Sequence, residues 1–158
     1  MDQISLKRIE TAHSKLRDEL KKIYAEINTV LTGRGMCRIA YVLRTFEEQT
    51  KLFNQKPKVT NSKAGQSYHN YGLAVDIVFI IDGKEVSYDT AKDWDGDKVA
   101  DWLEVVKIFN AYGWQWGFMK NGKRWDLPHF QKTFGLHWSE LLKRYNAGKK
   151  DANGYVVI

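Results

Sequence analysis

The sequence predicts an α+β fold, in which a small, mainly antiparallel sheet is flanked by helices. Three observations carry this expectation. Apolar residues recur at three- and four-residue steps over 5–31 and 98–111, the spacing of amphipathic helices. Short apolar runs at 73–81 and 125–131 read as strands. The dipeptides Asp82-Gly83 and Asn121-Gly122 follow strand-like runs and favour tight hairpins, hence antiparallel neighbours.

In order, Leu6, Ile9, Leu16, Leu20, Ile23, Ile27 and Val30 mark the first helix, and Ser14 is read as an N-cap restarting it after a break near His13. Gly33 and Gly35 end it, and Cys37 to Leu43 reads as a strand. Thr45-Phe46-Glu47-Glu48 fits a capping box opening a helix to about Phe53. Residues 54–68 are polar and bear Gly and Pro, so they form a loop. The 73–81 strand turns at Asp82-Gly83 and returns through Lys84 to Ser87; 89–97 is a loop. The helix from Lys98 to Ala111 carries Val99, Trp102, Val105, Val106 and Phe109 on one face and stops at Gly113. Trp114 to Met119 and Trp125 to Gln131 are two further strands. A last helix over about 138–146 closes at Gly148, and the tail DANGYVVI reads as a small strand.

With 158 residues, 43% of them hydrophobic, the chain suits one ordinary domain spanning 1–158, with 146–158 as a tail. No repeat, linker or separate wall-binding module is expected. No apolar run approaches the ~20 residues that cross a bilayer, so no membrane partner is expected. The N-terminus MDQISLKRIETAHSKLRDELKK lacks the apolar segment of a Sec signal, and the single Cys37 allows no internal disulfide. Both features point to synthesis in a reducing cytoplasm. The net charge of +6 suggests a polyanionic partner. Nucleic acid is not expected, because no helix-turn-helix, finger or RNP-type motif is present; anionic cell-wall polymer remains.

The stretch SYHNYGLAVD, 67–76, raises the functional question. Asp76 interrupts the run Leu73-Ala74-Val75-Asp76-Ile77-Val78-Phe79-Ile80, and a buried carboxylate is costly unless it is paired or holds a metal. His69 precedes it by seven residues, and Gly72 lets the chain turn between them. Zinc favours His nitrogen and carboxylate oxygen, and a catalytic zinc takes three protein ligands. WDLPHFQ, 125–131, supplies a third candidate in His129. Asp126 lies three residues before it across the stiffening Pro128, placed to reach a metal's water without ligating the metal. Taken singly, each residue has a plainer reading: a satisfied structural histidine, or an aspartate at a turn or edge.

Together they resemble the peptidoglycan metallopeptidases related to D-alanyl-D-alanine carboxypeptidases, especially phage endolysins and bacterial enzymes that cut L-alanyl-D-glutamate. The signature SxHxxGxAxD stands as Ser67, His69, Gly72, Ala74 and Asp76, and the later D/ExxH as Asp126 and His129. An Arg before a helix carrying EEQ appears as Arg44 and Glu47-Glu48-Gln49, while ADWLEV and GWQWG also look like this group. Many relatives carry Glu where this chain has Asp126; the endolysin-like branch often has Asp. The resemblance implies the fold shared by D-Ala-D-Ala peptidases and the hedgehog signalling domain. It implies Zn²⁺ on His69, Asp76 and His129, Asp126 as general base, and Arg44 on a substrate carboxylate or the oxyanion. Ser67 either bonds substrate or shapes the turn before His69. The implied partner is the bacterial stem peptide, cut by a monomer at L-alanyl-D-glutamate. D-alanyl-D-alanine carboxypeptidase activity and a non-catalytic zinc-bearing binding module are the alternatives. The missing Sec signal then fits release through a holin-type pore or another non-Sec route.

Other residues are read more plainly. His13 is expected on a helix surface, and His137 is structural at the start of the last helix. Trp114 and Trp116 are core candidates, and Trp125, beside Asp126, is the groove candidate for substrate. Asp93, Asp95 and Asp97 alternate as in part of a calcium loop. Counting from Asp93, position 12 is Glu104, but Gly sits at position 4 instead of 6. The competing reading is a solvated acidic turn that caps the next helix.

Overall fold

The computed structural model describes residues 1–158. Its elements are α1 (Gln3–Ile9), α2 (Arg17–Val30), β1 (Gly35–Tyr41), α3 (Phe46–Asn54), a single 3₁₀ turn (Tyr68–Tyr71), β2 (Ala74–Ile81), β3 (Glu85–Ser87), α4 (Asp101–Ala111), β4 (Gln115–Lys120), β5 (Lys123–Gln131) and α5 (Trp138–Asn146). The expected α+β architecture is present, and every strand pairing is antiparallel. The sheet runs β1-β2-β5-β4, with β3 also paired to β2. β1 covers one edge of β2, while β5 pairs with Ala74–Asp76 and β3 with Phe79–Ile81 on the other. No helix is long and apolar enough to cross a membrane.

Successive strand side chains alternate faces, and this explains the carboxylate in an apolar strand. Val75, Ile77, Phe79 and Ile81 join the main hydrophobic cluster, with Leu20, Ile23, Trp102 and Phe109 from α2 and α4. Asp76 has the opposite parity and projects from the other face. His129, its partner across the β2–β5 ladder, does the same, while the adjacent Phe130 is fully buried in the core and stacks on Phe109. The helices therefore seal one face, and the polar residues gather on the other.

Three boundaries differ from expectation for identifiable reasons. The break expected near His13 is present between α1 and α2, but α2 starts after Leu16 with no side-chain cap, so Ser14 does not cap it. In the break His13 is not on a surface: it is 1% exposed, with Nε2 on the Val156 carbonyl at 2.7 Å and Nδ1 accepting from Lys15 N–H at 3.2 Å. The expected tail strand is limited to one bridge, Lys150 with Val156. The fourth helix begins at Asp101 and not Lys98, because Lys98 has φ 77°, outside the helical region. Thr45 caps α3 as expected, accepting from Glu48 N–H at 3.1 Å.

The His13 break also fixes the approach to the candidate site. Its N–H donates to the Gly72 carbonyl at 2.9 Å. Gly72 ends the 3₁₀ turn at φ 69°, and a Cβ there would lie 2.5 Å from His13 N. Burial lowers the His13 pKa more than the Val156 carbonyl and Asp151 raise it. Between the depressed folded value and the unfolded value near ~6.5, the unfolded chain binds more protons, so this contribution to stability is lost as pH falls. The melting-temperature gap between wild type and His13→Gln should therefore narrow as pH is lowered from about 7 to 5; a gap independent of pH would refute the buried neutral histidine.

Candidate metal centre

His69, Asp76 and His129 each bring one ligand atom within 4.8 Å of the other two. His69 comes from the 3₁₀ turn, whose start Ser67 braces by accepting from His69 N–H at 3.3 Å. Asn70 Oδ1 accepts from Ser67 N–H at 3.3 Å and from Gly65 N–H at 3.0 Å. Asp76 and His129 sit opposite each other in the β2–β5 ladder. Asp76 Oδ1 lies 3.2 Å from His69 Nε2 and 3.0 Å from His129 Nδ1.

The far nitrogen of each ring is already committed. His69 Nδ1 donates to the Val42 carbonyl at 2.8 Å, and His129 Nε2 donates to Gln131 Oε1 at 2.8 Å. Each near nitrogen is then left to present a lone pair toward the carboxylate. Two nitrogens and one oxygen converging in this way suit a cation, with spacings compatible with ligand bonds of ~2.0–2.2 Å. A proton is the metal-free substitute. Burial opposes charge on His129, but Asp76, by hydrogen bond and by charge, outweighs it and raises the His129 pKa. Burial likewise would raise Asp76, yet hydrogen bonds from His129 and His69 hold its carboxyl well below the usual carboxylate range.

Asp126 is positioned by a distortion of the sheet. Between the pairs Trp116–Phe130 and Phe118–Trp125, β4 contributes only Gly117, while β5 contributes Asp126, Leu127, Pro128 and His129. The extra residues bulge outward. Trp116 Nε1 pins the bulge by donating to the Leu127 carbonyl at 2.7 Å, and Pro128 has no N–H to leave unpaired. Asp126 adopts φ 55°, and its Oδ2 lies 3.9 Å from His129 Nδ1. Its side chain is 52% exposed. Partial desolvation, with Asp76 nearby, raises its pKa despite the opposing His129.

These groups open into a cleft of about 500 Å³ whose wall includes Arg44, Ser67 and all four acid–imidazole residues. Arg44 Nη1 donates to Gln49 Oε1 at 3.1 Å, but its Nε is buried without a partner. Its guanidinium stands 5.4 Å from the Tyr41 ring centroid. Trp125, the expected groove residue, is 55% exposed on the β4–β5 hairpin and is not in this wall; Phe118, which stacks on His129, and Trp138 are. Trp114 is buried against Phe109, matching the core reading. His137 caps α5, accepting from Ser139 N–H at 3.2 Å. Gln131 and the Val42 carbonyl escaped the sequence reading. Strand register reveals Gln131, by the shared parity that puts it on the His129 face, whereas the Val42 carbonyl, just past β1, is revealed only by its contact with His69.

The acidic run forms a second, separate cluster: Asp93, Asp95 and Asp101 converge, as do Asp95, Asp97 and Glu104. Asp101 and Glu104 were outside the expected set Asp93, Asp95 and Asp97. The capping alternative is not met, because the α4 cap, Ala100, receives no side-chain bond. Burial and then the charges of Asp97, Asp95, Asp101 and Asp93 push Glu104 up to about 7.

The resemblance read from the motifs is borne out by comparison with known proteins. Residues 60–132 match a family model described as D-alanyl-D-alanine carboxypeptidase, a span that includes the three converging residues and Asp126 but not Arg44. The chain is 38% identical over 94 residues to the peptidoglycan L-alanyl-D-glutamate endopeptidase CwlK of Bacillus subtilis, covering 56% of this chain. It spans about half, 55%, of that relative's length. The fold is similar to that of the Serratia marcescens L-Ala D-Glu endopeptidase ChiX, with TM-score 0.56, 18% identity, and coverage of 85% of this chain and 90% of that one.

Gly117 provides a direct check on the bulge. It has φ 55°, and an added Cβ would overlap the Trp125 carbonyl oxygen, a backbone atom that cannot swing away. Gly117→Ala should cost about 1–3 kcal/mol in chemical denaturation. A variant as stable as wild type would mean that the bulge does not depend on this contact.

Proposed function

We propose that the chain is a zinc-dependent peptidoglycan peptidase that hydrolyses the L-alanyl-D-glutamate bond of the stem peptide. The observation that carries this reading is the convergence of His69 Nε2, Asp76 Oδ1 and His129 Nδ1, with the far ring nitrogens already occupied, in a cleft shared with Arg44 and Asp126. The three residues would hold zinc. Bound there, zinc would supply a Lewis acid for the scissile carbonyl and acidify the attacking water.

Asp126 would accept a proton from the attacking water at its carboxylate and deliver one to the leaving amine. Its exposure to the cleft leaves room for both transfers, and its raised pKa makes it a stronger base than an ordinary aspartate. Arg44, held by Gln49 in the cleft wall, presents a fixed cation to a substrate carboxylate or to the developing oxyanion. Ser67 holds the turn that carries His69. The bond assignment is supported by the curated relative and by the structural neighbour, both named for L-alanyl-D-glutamate cleavage. The matched family description favours one second reading, release of terminal D-alanine. Mass spectrometry of digested peptidoglycan separates the two: new N-terminal D-glutamate supports the endopeptidase, and free D-alanine supports the carboxypeptidase. A binding module without catalysis would have no use for Asp126 and Arg44 in the same cleft.

Two substitutions test the roles. Asp126→Asn suits the positive φ, since Asn tolerates that region. It should keep bound zinc and lower wall hydrolysis by ~10²–10⁴-fold. Loss of zinc would make Asp126 a fourth ligand, and undiminished hydrolysis would remove it from the mechanism. Gln131→Leu frees the outer nitrogen of His129 and should weaken zinc binding or activity about 10–100-fold, read by competition with a chromogenic chelator; unchanged affinity and activity would deny Gln131 that orienting role.

A further inference from the structure

We propose that the loop from Asp93 to Glu104 is a calcium site built like an EF-hand loop, separate from the His69–Asp76–His129 centre. An EF-hand loop of twelve residues takes side-chain oxygens at positions 1, 3, 5, 9 and 12, a main-chain carbonyl at 7, and a sharp turn at 6. Counted from Asp93, those side chains are Asp93, Asp95, Asp97, Asp101 and Glu104, and the carbonyl is that of Val99. The residue missing from the sequence pattern is the position-6 glycine. Here Lys98 takes that place with φ 77°, the conformation that glycine would supply. The helix α4 then leaves the loop at position 9.

Two triads converge, Asp93–Asp95–Asp101 and Asp95–Asp97–Glu104, and Asp95 is common to both. Loop hydrogen bonds satisfy much of the rim: Asp93 accepts from Gly96 N–H at 2.6 Å and Lys98 N–H at 2.9 Å, and Asp97 from Val99 N–H at 2.7 Å. The inner oxygens are different. Asp101 is fully buried, and its Oδ1 accepts from Trp94 N–H at 2.9 Å, but its Oδ2 has no partner. Glu104 Oε2 is also buried and unpartnered. A buried, unpartnered carboxylate oxygen is costly; without an ion these groups are pushed toward their protonated forms, and a bound cation would relieve the same cost while keeping them ionised. Six or more hard oxygens with flexible geometry suit calcium; magnesium demands tighter octahedral geometry and retains its waters.

The test uses the full chain held saturated with zinc. Terbium, an oxygen-seeking substitute for calcium, should show saturable emission on tryptophan excitation, sensitised by Trp94 in the loop. Calcium chloride should displace it well below the concentration at which magnesium chloride does. Calcium about 100-fold above half-saturation should raise the melting temperature by about 5–10 °C. Glu104→Gln and Asp97→Asn alter positions that are not fully buried, so they avoid the folding risk at Asp101; each should weaken calcium binding about tenfold or more. The proposal is overturned if about 10 mM calcium leaves the melting temperature unchanged. It is equally overturned if both variants bind calcium as wild type does, or if the terbium signal follows His129→Ala and not Glu104→Gln.

Discussion

The carboxylate of Asp76, set in the middle of the central strand, is the constraint around which the rest of the site is arranged. β2 is otherwise buried along its length, and an ionised group there is tolerated only if it is compensated on the spot. Strand parity puts Asp76 on the face away from the helices, and two imidazoles close on it from different parts of the chain. His129 arrives through strand register, since pairing β5 with Ala74–Asp76 sets it opposite Asp76. His69 arrives through a 3₁₀ turn that Gly72 ends and the His13 break presses against. A one-residue slip of β5 would turn His129 into the core and bring Phe130 out, so the packing of Phe130 on Phe109 also secures the candidate metal centre.

The candidate ligands and the candidate base are held in different ways. His69 and His129 are nearly buried, and each is locked by a hydrogen bond on its outer nitrogen. Asp126 is half exposed, on a strained residue in a bulge. A non-glycine residue at positive φ costs about 1–3 kcal/mol and persists only where its surroundings enforce it. Gly117, Pro128 and the Trp116–Leu127 bond do so here. The strain has a structural consequence: it takes Asp126 out of the ladder, where it would face a neighbouring strand, and turns it toward the cleft beside His129.

What could be read in the sequence follows from how local each signal is. Asp76 stands out because a carboxylate has few uses in an apolar strand, while His69, Asp126 and His129 join it through the motif resemblance, with Gly72 and Pro128 as punctuation. The strands and hairpins were legible from apolar runs and Asp-Gly and Asn-Gly turns. Gln131 was not, because an amide in a strand has no signature until register places it beside His129. His13 was misjudged because its partner, the Val156 carbonyl, lies 143 residues away. Trp125 adjoins Asp126 in sequence, yet the bulge separates their directions, and Trp138 from α5 reaches the cleft instead. The start of α4 was misplaced because a lysine holds a backbone conformation that composition assigns to glycine.

The acidic loop and the metal centre lie toward opposite ends of β2 and on opposite faces. Trp94 stacks on Phe79, a core-facing residue, and Gly33 has no room for a Cβ where the Trp94–Asp95 backbone passes. Thr32 N–H also donates to Asp95 Oδ2, at 3.3 Å. The loop is therefore built into the junction of α2, β1 and α4, beneath the sheet, with no residue in the cleft wall. A divalent ion there would offset part of the negative charge at the junction and brace the scaffold that sets the β1–β2 register. Its influence on Asp76 would pass through that register, since no side chain bridges the loop to the cleft. The acidic loop and the candidate metal centre thus sit on opposite faces of one strand, and the period-two alternation of β2 keeps them apart.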